Sequence, residues 1–401
     1  MHIGLVHPRL DHRGGAENVV LWMAQALRRR GHRVTVVARK FSAARWNDGD
    51  WDGITLHTLP ERYWDRFRTR RVRKALPGRR LAQLLGPDCG LIVAHNSPAQ
   101  VWAREALRSL PDTRVVWFCE EPRARFYWQQ TQPTIAAAME ERDRYTWAAE
   151  GFADRDRLSR DHARARVDTD RAQDLEAGRQ IDRVLGNSVF TAKVAAEVYG
   201  RDVVPCTLGM PEPEYVPVPA SEAKPYVAWV AANEFHKNVA GALEALRIAV
   251  HELGATDLRV RITGLNAERH GPVIDAARLG DHLVLEGWRS DAELNALVAG
   301  CRFLLFPSVD EPFGLVPVHA MAHGRAVLAG NTGGPAETVL DDVNGVNVDA
   351  LDPQAMAAAL VALWRDPDRA DALGARGRER YRAEFTFDHF MDRFEALVGP
   401  L

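Results

Sequence analysis

The chain has 401 residues, 46% of them hydrophobic and 26% charged, which excludes collagenous, low-complexity and disordered classes and leaves room for two domains with full cores. Its 52 basic and 54 acidic side chains give a formal charge of -2, so no global field selects nucleic acid and any electrostatic targeting must be local. Cys89, Cys119, Cys206 and Cys301 lie far apart, with no CxxC or Cys/His cluster, a pattern that fits a reducing compartment and disfavours structural zinc.

No basic-then-apolar leader precedes the first strand pattern, and no stretch approaches the roughly 20 apolar residues that span a bilayer. The expected location is the cytosol. Residues 3–7 read as a strand, followed by a loop with Gly14 and Gly15, a helix over 16–30, Gly31, and a second strand over 34–38. That order is one βαβ unit. Asp48, Asp50 and Asp52 match the first half of a calcium loop, but the required twelfth-position glutamate is Leu59, so a loop without metal is expected. Asp48/Asp50 and Asp168/Asp170 are bare DxD pairs without a matching context.

Residues 61–80 interleave arginines with Tyr63, Trp64 and Phe67. This segment reads either as a surface contacting anionic lipid headgroups or as a solvated basic helix. Short apolar runs at 90–94, 114–119 and 183–186 alternate with helical stretches, as in a parallel sheet covered on both faces. The stretch 154–180 is dense in both charge signs and is expected to be a solvated helix.

Pro205, Pro211, Pro213, Pro217, Pro219 and Pro225 crowd one segment, which suits an extended connector. It sets the expected boundary between a first domain, 1–205, and a second, 206–386. Beyond it the alternation restarts: strand 226–231, helix 239–253, strands 258–263 and 283–286, helix 291–299 and strand 303–306. That is a second doubly wound domain. Residues 387–398 carry Phe390, Met391, Phe394, Leu397 and Val398 at helical spacing, a stripe that needs a surface to bury it.

Ligands of open α/β sheets bind beyond the carboxyl ends of the strands. The first such loop, His12-Arg13-Gly14-Gly15-Ala16-Glu17, either brings backbone N–H groups to a phosphate or is a tight turn that starts the helix. It lacks GxGxxG, which counts against a dehydrogenase. The most informative stretch runs from Phe306 through Asp310-Glu311-Pro312-Phe313-Gly314-Leu315-Val316 and His319 to Gly324, followed by Gly333-Gly334-Pro335-Ala336-Glu337. A strand ends in a loop with a carboxylate, turns at glycine and enters a helix whose exposed N–H groups favour a diphosphate.

Here the chain resembles glycosyltransferase family 4, the retaining nucleotide-sugar transferases of GT-B architecture, which write E-x-F-G-L-x-x-x-E-A-M-A-x-G followed by G-G-x-x-E. The resemblance covers nearly the whole chain, including Gly14-Gly15-Ala16-Glu17, Gly186-Asn187-Ser188, residues 234–238 and the closing helix. It implies an α/β fold of two Rossmann-like domains facing across a cleft, with helix 387–401 packing back on the first. Lys237 and Glu311 are the implied catalytic pair, Lys237 on the diphosphate and Glu311 on donor-sugar hydroxyls. Gly14, Gly15, Glu234, Gly264, Gly287, Pro312, Phe313, Gly314, Leu315, Val316 and His319 are implied on the donor. Arg13, Glu120, Glu121 and Arg123 fall on the acceptor side.

The chemistry agrees: a leaving diphosphate gains negative charge, so a fixed cation and oriented amides stabilise the transition state more than the ground state. No metal or cofactor is implied. The implied partners are a UDP-, GDP- or dTDP-sugar and a glycan, lipid-linked or small-molecule acceptor, with peripheral membrane contact through 61–80 if the acceptor is lipid-linked. Three departures stand out. His319 replaces the family's second glutamate and can accept only one hydrogen bond when neutral. Ala232, beside Asn233, replaces an arginine. Glu120 stands where a histidine is often found. They keep open a catalytically weakened nucleotide-sugar-binding subunit, alongside a GT-B epimerase or phosphorylase.

Overall fold

The structure, a computed structural model, describes residues 1–59, 70–140, 165–213, 225–230, 235–264, 274–275 and 277–401. They form two compact units, from the described parts of Met1–Thr131, His162–Leu208 and Phe387–Leu401, and of Gln132–Asp161 and Gly209–Thr386.

The first unit is built on a seven-stranded sheet of order β3-β2-β1-β4-β5-β6-β7. Its strands are β1 (His2–Leu10), β2 (Arg33–Phe41), β3 (Thr55–Thr58), β4 (Cys89–His95), β5 (Arg114–Cys119), β6 (Arg183–Gly186) and β7 (Val204–Pro205). Every pairing is parallel, and the near-continuous burial of β1 and β4 follows from covering both faces. The helix Gly15–Arg29 buries Val19, Val20, Met23, Ala24 and Leu27 on one face and ends in Arg28 and Arg29, which favour its negative pole. Gly4 is small because a Cβ there would meet Leu85 Cδ2 at 2.6 Å. Gly186 lets the chain turn against Ala192, and Ser188 then caps the helix Val189–Tyr199 by accepting from Thr191 N at 2.9 Å.

The proline-rich segment is not wholly a connector. Val204–Pro205 is the last strand of the first sheet, where the N–H that Pro205 lacks is not required, since an edge strand pairs on one side. The division between units falls after Leu208. The charge-dense helix, Ala165–Gln180, is also not merely solvated. Asp174 is 1% exposed and accepts from Ser97 Oγ, Gln100 Nε2 (2.7 Å), Tyr127 OH (3.0 Å) and Tyr199 OH (2.9 Å). One acid among many is thus buried because four donors converge on it. The closing helix Phe387–Val398 buries Phe387, Phe390, Met391 and Phe394 in this first unit. Phe390 lies 5.4 Å from Phe118 and Phe387 5.8 Å from Trp22, ring to ring.

The second unit has a six-stranded parallel sheet of order β10-β9-β8-β11-β12-β13. Its strands are β8 (Val227–Val230), β9 (Val260–Thr263), β10 (Leu283–Leu285), β11 (Phe303–Phe306), β12 (Ala326–Gly330) and β13 (Gly345–Val348). Its core joins Trp229, Ile262, Phe303 and Leu328 to Leu243 and Leu246 of the helix Val239–His251. The helix Pro133–Glu140 belongs to this unit although it precedes β6 in the chain: Ile135 and Ala138 are buried in the same core. In each sheet the winding reverses once, between β1 and β4 and between β8 and β11, the position where doubly wound folds bind ligands. No described helix is long and apolar enough to cross a membrane.

Candidate active site

Both loops that leave the switch strands of the second unit meet. After β8 comes the short turn Phe235–Lys237, and after β11 the loop that carries Glu311. Lys237 Nζ donates to Glu311 Oε2 at 2.7 Å, and His236 Nε2 lies 3.0 Å from the same oxygen. Backbone joins the loops as well, Val309 N donating to the His236 carbonyl at 2.8 Å. Lys237 and Glu311 side chains are 17% and 15% exposed, so solvent screens the pair only in part. Burial works to raise the Glu311 carboxyl, but Lys237 first and His236 second hold it well below the usual carboxylate range. Among the described residues Glu311 Oε1 takes no hydrogen bond, which leaves one oxygen of an ionised carboxylate open to a ligand hydroxyl.

The glycines around this turn have steric reasons. A Cβ on Gly333 would collide with Glu311 O and lie 2.7 Å from Glu311 N, and one on Gly334 would collide with Phe313 Cα. Gly334 N donates to Glu311 O at 2.8 Å. Gly314, at φ +89°, precedes the helix Leu315–Ala322. Pro317 has no N–H, so the orphan amides of this first turn are those of Leu315 and Val316. Phe313 turns its ring toward Phe385, 6.3 Å away, and offers only backbone here. Asp310 braces the loop from beneath: it is 1% exposed and accepts from Thr134 N and Oγ1, both at 2.7 Å.

Other candidates lie farther along the same strand ends. Gly264 N donates to Gly287 O at 3.0 Å, tying the ends of β9 and β10. Pro312 is partly exposed beside Glu311. Ala232, Asn233, Glu234 and the segment 61–69 lie outside the described residues. His319 is 8% exposed, and its Nε2 sits 2.6 Å from Asn295 Oδ1 and 3.2 Å from His323 Nε2. Burial lowers His319 to about 4, and burial with neighbouring cationic groups lowers His323 to about 3, so both rings are neutral near pH 7. With Nε2–H directed at Asn295, His319 has Nδ1 as its remaining acceptor.

Arg13, Gly14, Gly15, Glu120, Glu121 and Arg123 belong to the first unit. Arg13 is held by Asn18 (3.0 Å) and Asp50 (3.2 Å), so Asp50 serves an ion pair. A Cβ on Gly14 would meet Glu17 Oε2 at 2.9 Å, and Glu17 pairs with His12 at 3.0 Å. The helix start thus already holds a carboxylate. Glu120 lies 3.4 Å from His95 Nδ1. Burial raises its carboxyl to about 7, His7 and Asn96 opposing and Glu17 assisting. Arg123 lies over the Phe126 ring at 5.2 Å. Thr134, Asn295, His7 and His95 lie outside the sequence motifs, and His236 and Asp310 lie inside them without an assigned role. His236 had one signal, its place directly before the motif lysine.

Two family models match the chain, one described as Glycosyltransferase Family 4 over residues 13–207 and one as Glycosyl transferases group 1 over residues 213–380. Among curated proteins it is 26% identical over 246 residues to alpha-1,3/1,6-mannosyltransferase ALG2 of Homo sapiens, covering 55% of this chain and 59% of that one. It is 37% identical over 129 residues to D-inositol 3-phosphate glycosyltransferase of Salinispora tropica, covering 31% and 27%. The chain thus spans less than two thirds of these relatives' length. Among solved structures it resembles Anabaena Alr3699/HepE in complex with UDP and glucose, with a TM-score of 0.74 and 17% identity over 99% of both chains. It also resembles sucrose-phosphate synthase from Thermosynechococcus elongatus, with a TM-score of 0.72 and 19% identity over 99% and 98%.

Proposed function

Since the chain belongs to glycosyltransferase family 4 and has the GT-B fold of two parallel-sheet α/β domains, we propose that it moves a sugar from a nucleotide-sugar donor to an acceptor hydroxyl, with retention at the anomeric carbon. The reading places it in the cytosol, in glycan, glycolipid or glycoside assembly. The observation that carries it is the 2.7 Å pair of Lys237 and Glu311 at the two switch-strand ends, with Glu311 Oε1 open. In this reading Lys237 moves from Glu311 to the diphosphate, which becomes more negative as the sugar departs, and the Leu315 and Val316 amides add oriented dipoles. Glu311 Oε1 accepts from a donor-sugar hydroxyl. Arg13, Glu120, Glu121 and Arg123 of the first unit serve the acceptor, and no metal takes part. The UDP and glucose in the HepE complex support this donor class.

The test is a donor-hydrolysis screen with UDP-, GDP- and dTDP-sugars, repeated with Lys237→Ala and Glu311→Ala. Release of nucleoside diphosphate that falls sharply in both variants supports the reading; unchanged turnover in Glu311→Ala overturns the site. The hydrogen bond of His319 to Asn295 favours a second reading, a nucleotide-sugar-binding subunit that binds donor in calorimetry and turns none over.

A further inference from the structure

Two cationic or hydrogen-bond-donating side chains share one oxygen at this site, and they differ in freedom. Lys237 reaches Glu311 Oε2 through a long flexible stem, and its Nζ also lies 5.7 Å from the centre of the Phe306 ring. His236 reaches the same oxygen through a short side chain, on backbone held by Val309 N at 2.8 Å. Glu311 is largely buried, and a buried carboxylate stripped of its partner is costly. If Lys237 is drawn onto a diphosphate, Glu311 therefore needs a partner that stays.

We propose that His236 is a positioning residue for sugar transfer: it holds Glu311 Oε2 while Lys237 engages the leaving diphosphate, which keeps Oε1 turned to the donor sugar. Whether neutral as the Nε2–H tautomer or protonated, the ring donates to Oε2 through the same atom. The sugar part of the donor, rather than the nucleotide, is what His236 serves. This inference rests on the donor reading above.

The experiment compares wild type with His236→Leu, which has no donor, and His236→Gln, whose amide nitrogen restores one near the Nε2 position. Affinity is measured for UDP, GDP and dTDP, and turnover for UDP-glucose, GDP-mannose and dTDP-glucose. The expected result is that His236→Leu binds the nucleoside diphosphate within about twofold of wild type but loses about tenfold or more in kcat/KM for the nucleotide sugar. His236→Gln recovers most of that loss. Equal losses of diphosphate affinity and turnover, no loss in either, or a glutamine variant no better than leucine would each overturn the role of His236. Lys237→Ala and Glu311→Ala separate the two levels. If they abolish turnover while His236→Leu leaves it at the wild-type level, the inference fails alone. If wild type releases no diphosphate from any of the three sugars, the donor reading fails and the inference with it.

Discussion

Gly333 stands so close to Glu311 that a single added carbon would strike the Glu311 carbonyl, and its φ of +74° already lies in the left-handed region. The loop after β12 is thus the wall that shapes the turn after β11. Gly333→Ala is expected to lose about 1–3 kcal/mol from backbone strain and, by shifting Glu311, most of the turnover. Gly254→Ala is the control: its φ is +69° with nothing within 4 Å, so urea titration should show strain while turnover stays at wild type.

The Lys237–Glu311 pair has a readout in stability as well as in turnover. In the unfolded chain Glu311 takes up a proton near the ordinary 4.5; in the fold Lys237 and His236, against the opposing effect of burial, delay that to lower pH. Its contribution is therefore present above 4.5 and is lost as pH falls below it. Urea midpoints of wild type and Glu311→Gln should converge from pH 5 toward pH 2. Lys237→Ala should lower initial rates by about a hundredfold, the scale of losing one transition-state donor.

Glu120 carries the opposite sign. Unfolded, it loses its proton near 4.5; folded, burial keeps the proton until about 7. Between these values the folded state binds more protons, so stability is full below 4.5 and declines as pH rises through 7. Relative to Glu120→Gln, the wild type should lose about 2–4 kcal/mol across that window. A parallel pair of stability curves from pH 4 to 8 would place Glu120 in contact with water.

His319 and His323 lose stability on the acid side. Unfolded, each takes up a proton below 6.5; folded, burial postpones this to about 4 and about 3. The contribution of this contacting pair is present above 6.5 and is lost as pH falls toward 4. The advantage of wild type over the double variant His319→Gln, His323→Leu should shrink through this window in calorimetric scans.

Periodicity was enough to read nine of the thirteen described strands and the amphipathic closing helix, because apolar spacing is local to each element, but it passed over β3, β7, β12 and β13. The motif spacing marked Glu311, the Gly333-Gly334 loop and, through residues 234–238, Lys237. It could not reveal His236, whose importance comes from an oxygen on another strand's loop, or Thr134, which reaches Asp310 from outside its expected domain. Among the charges of 165–180, Asp174 differed from its neighbours in nothing but where the helix put it.

What the order of residues determined alone is therefore the kind of elements, their alternation and the family to which their loops conform. Strand order, which puts the ends of β8 and β11 side by side, the cationic neighbours that keep Glu311 ionised against its burial, and the burial that makes Glu120 a late-titrating acid and His319 a neutral ring were decided by the tertiary structure. The reason is physical: propensity and periodicity act over a few neighbouring residues, whereas desolvation and charge pairing depend on atoms that only folding brings within a few ångströms.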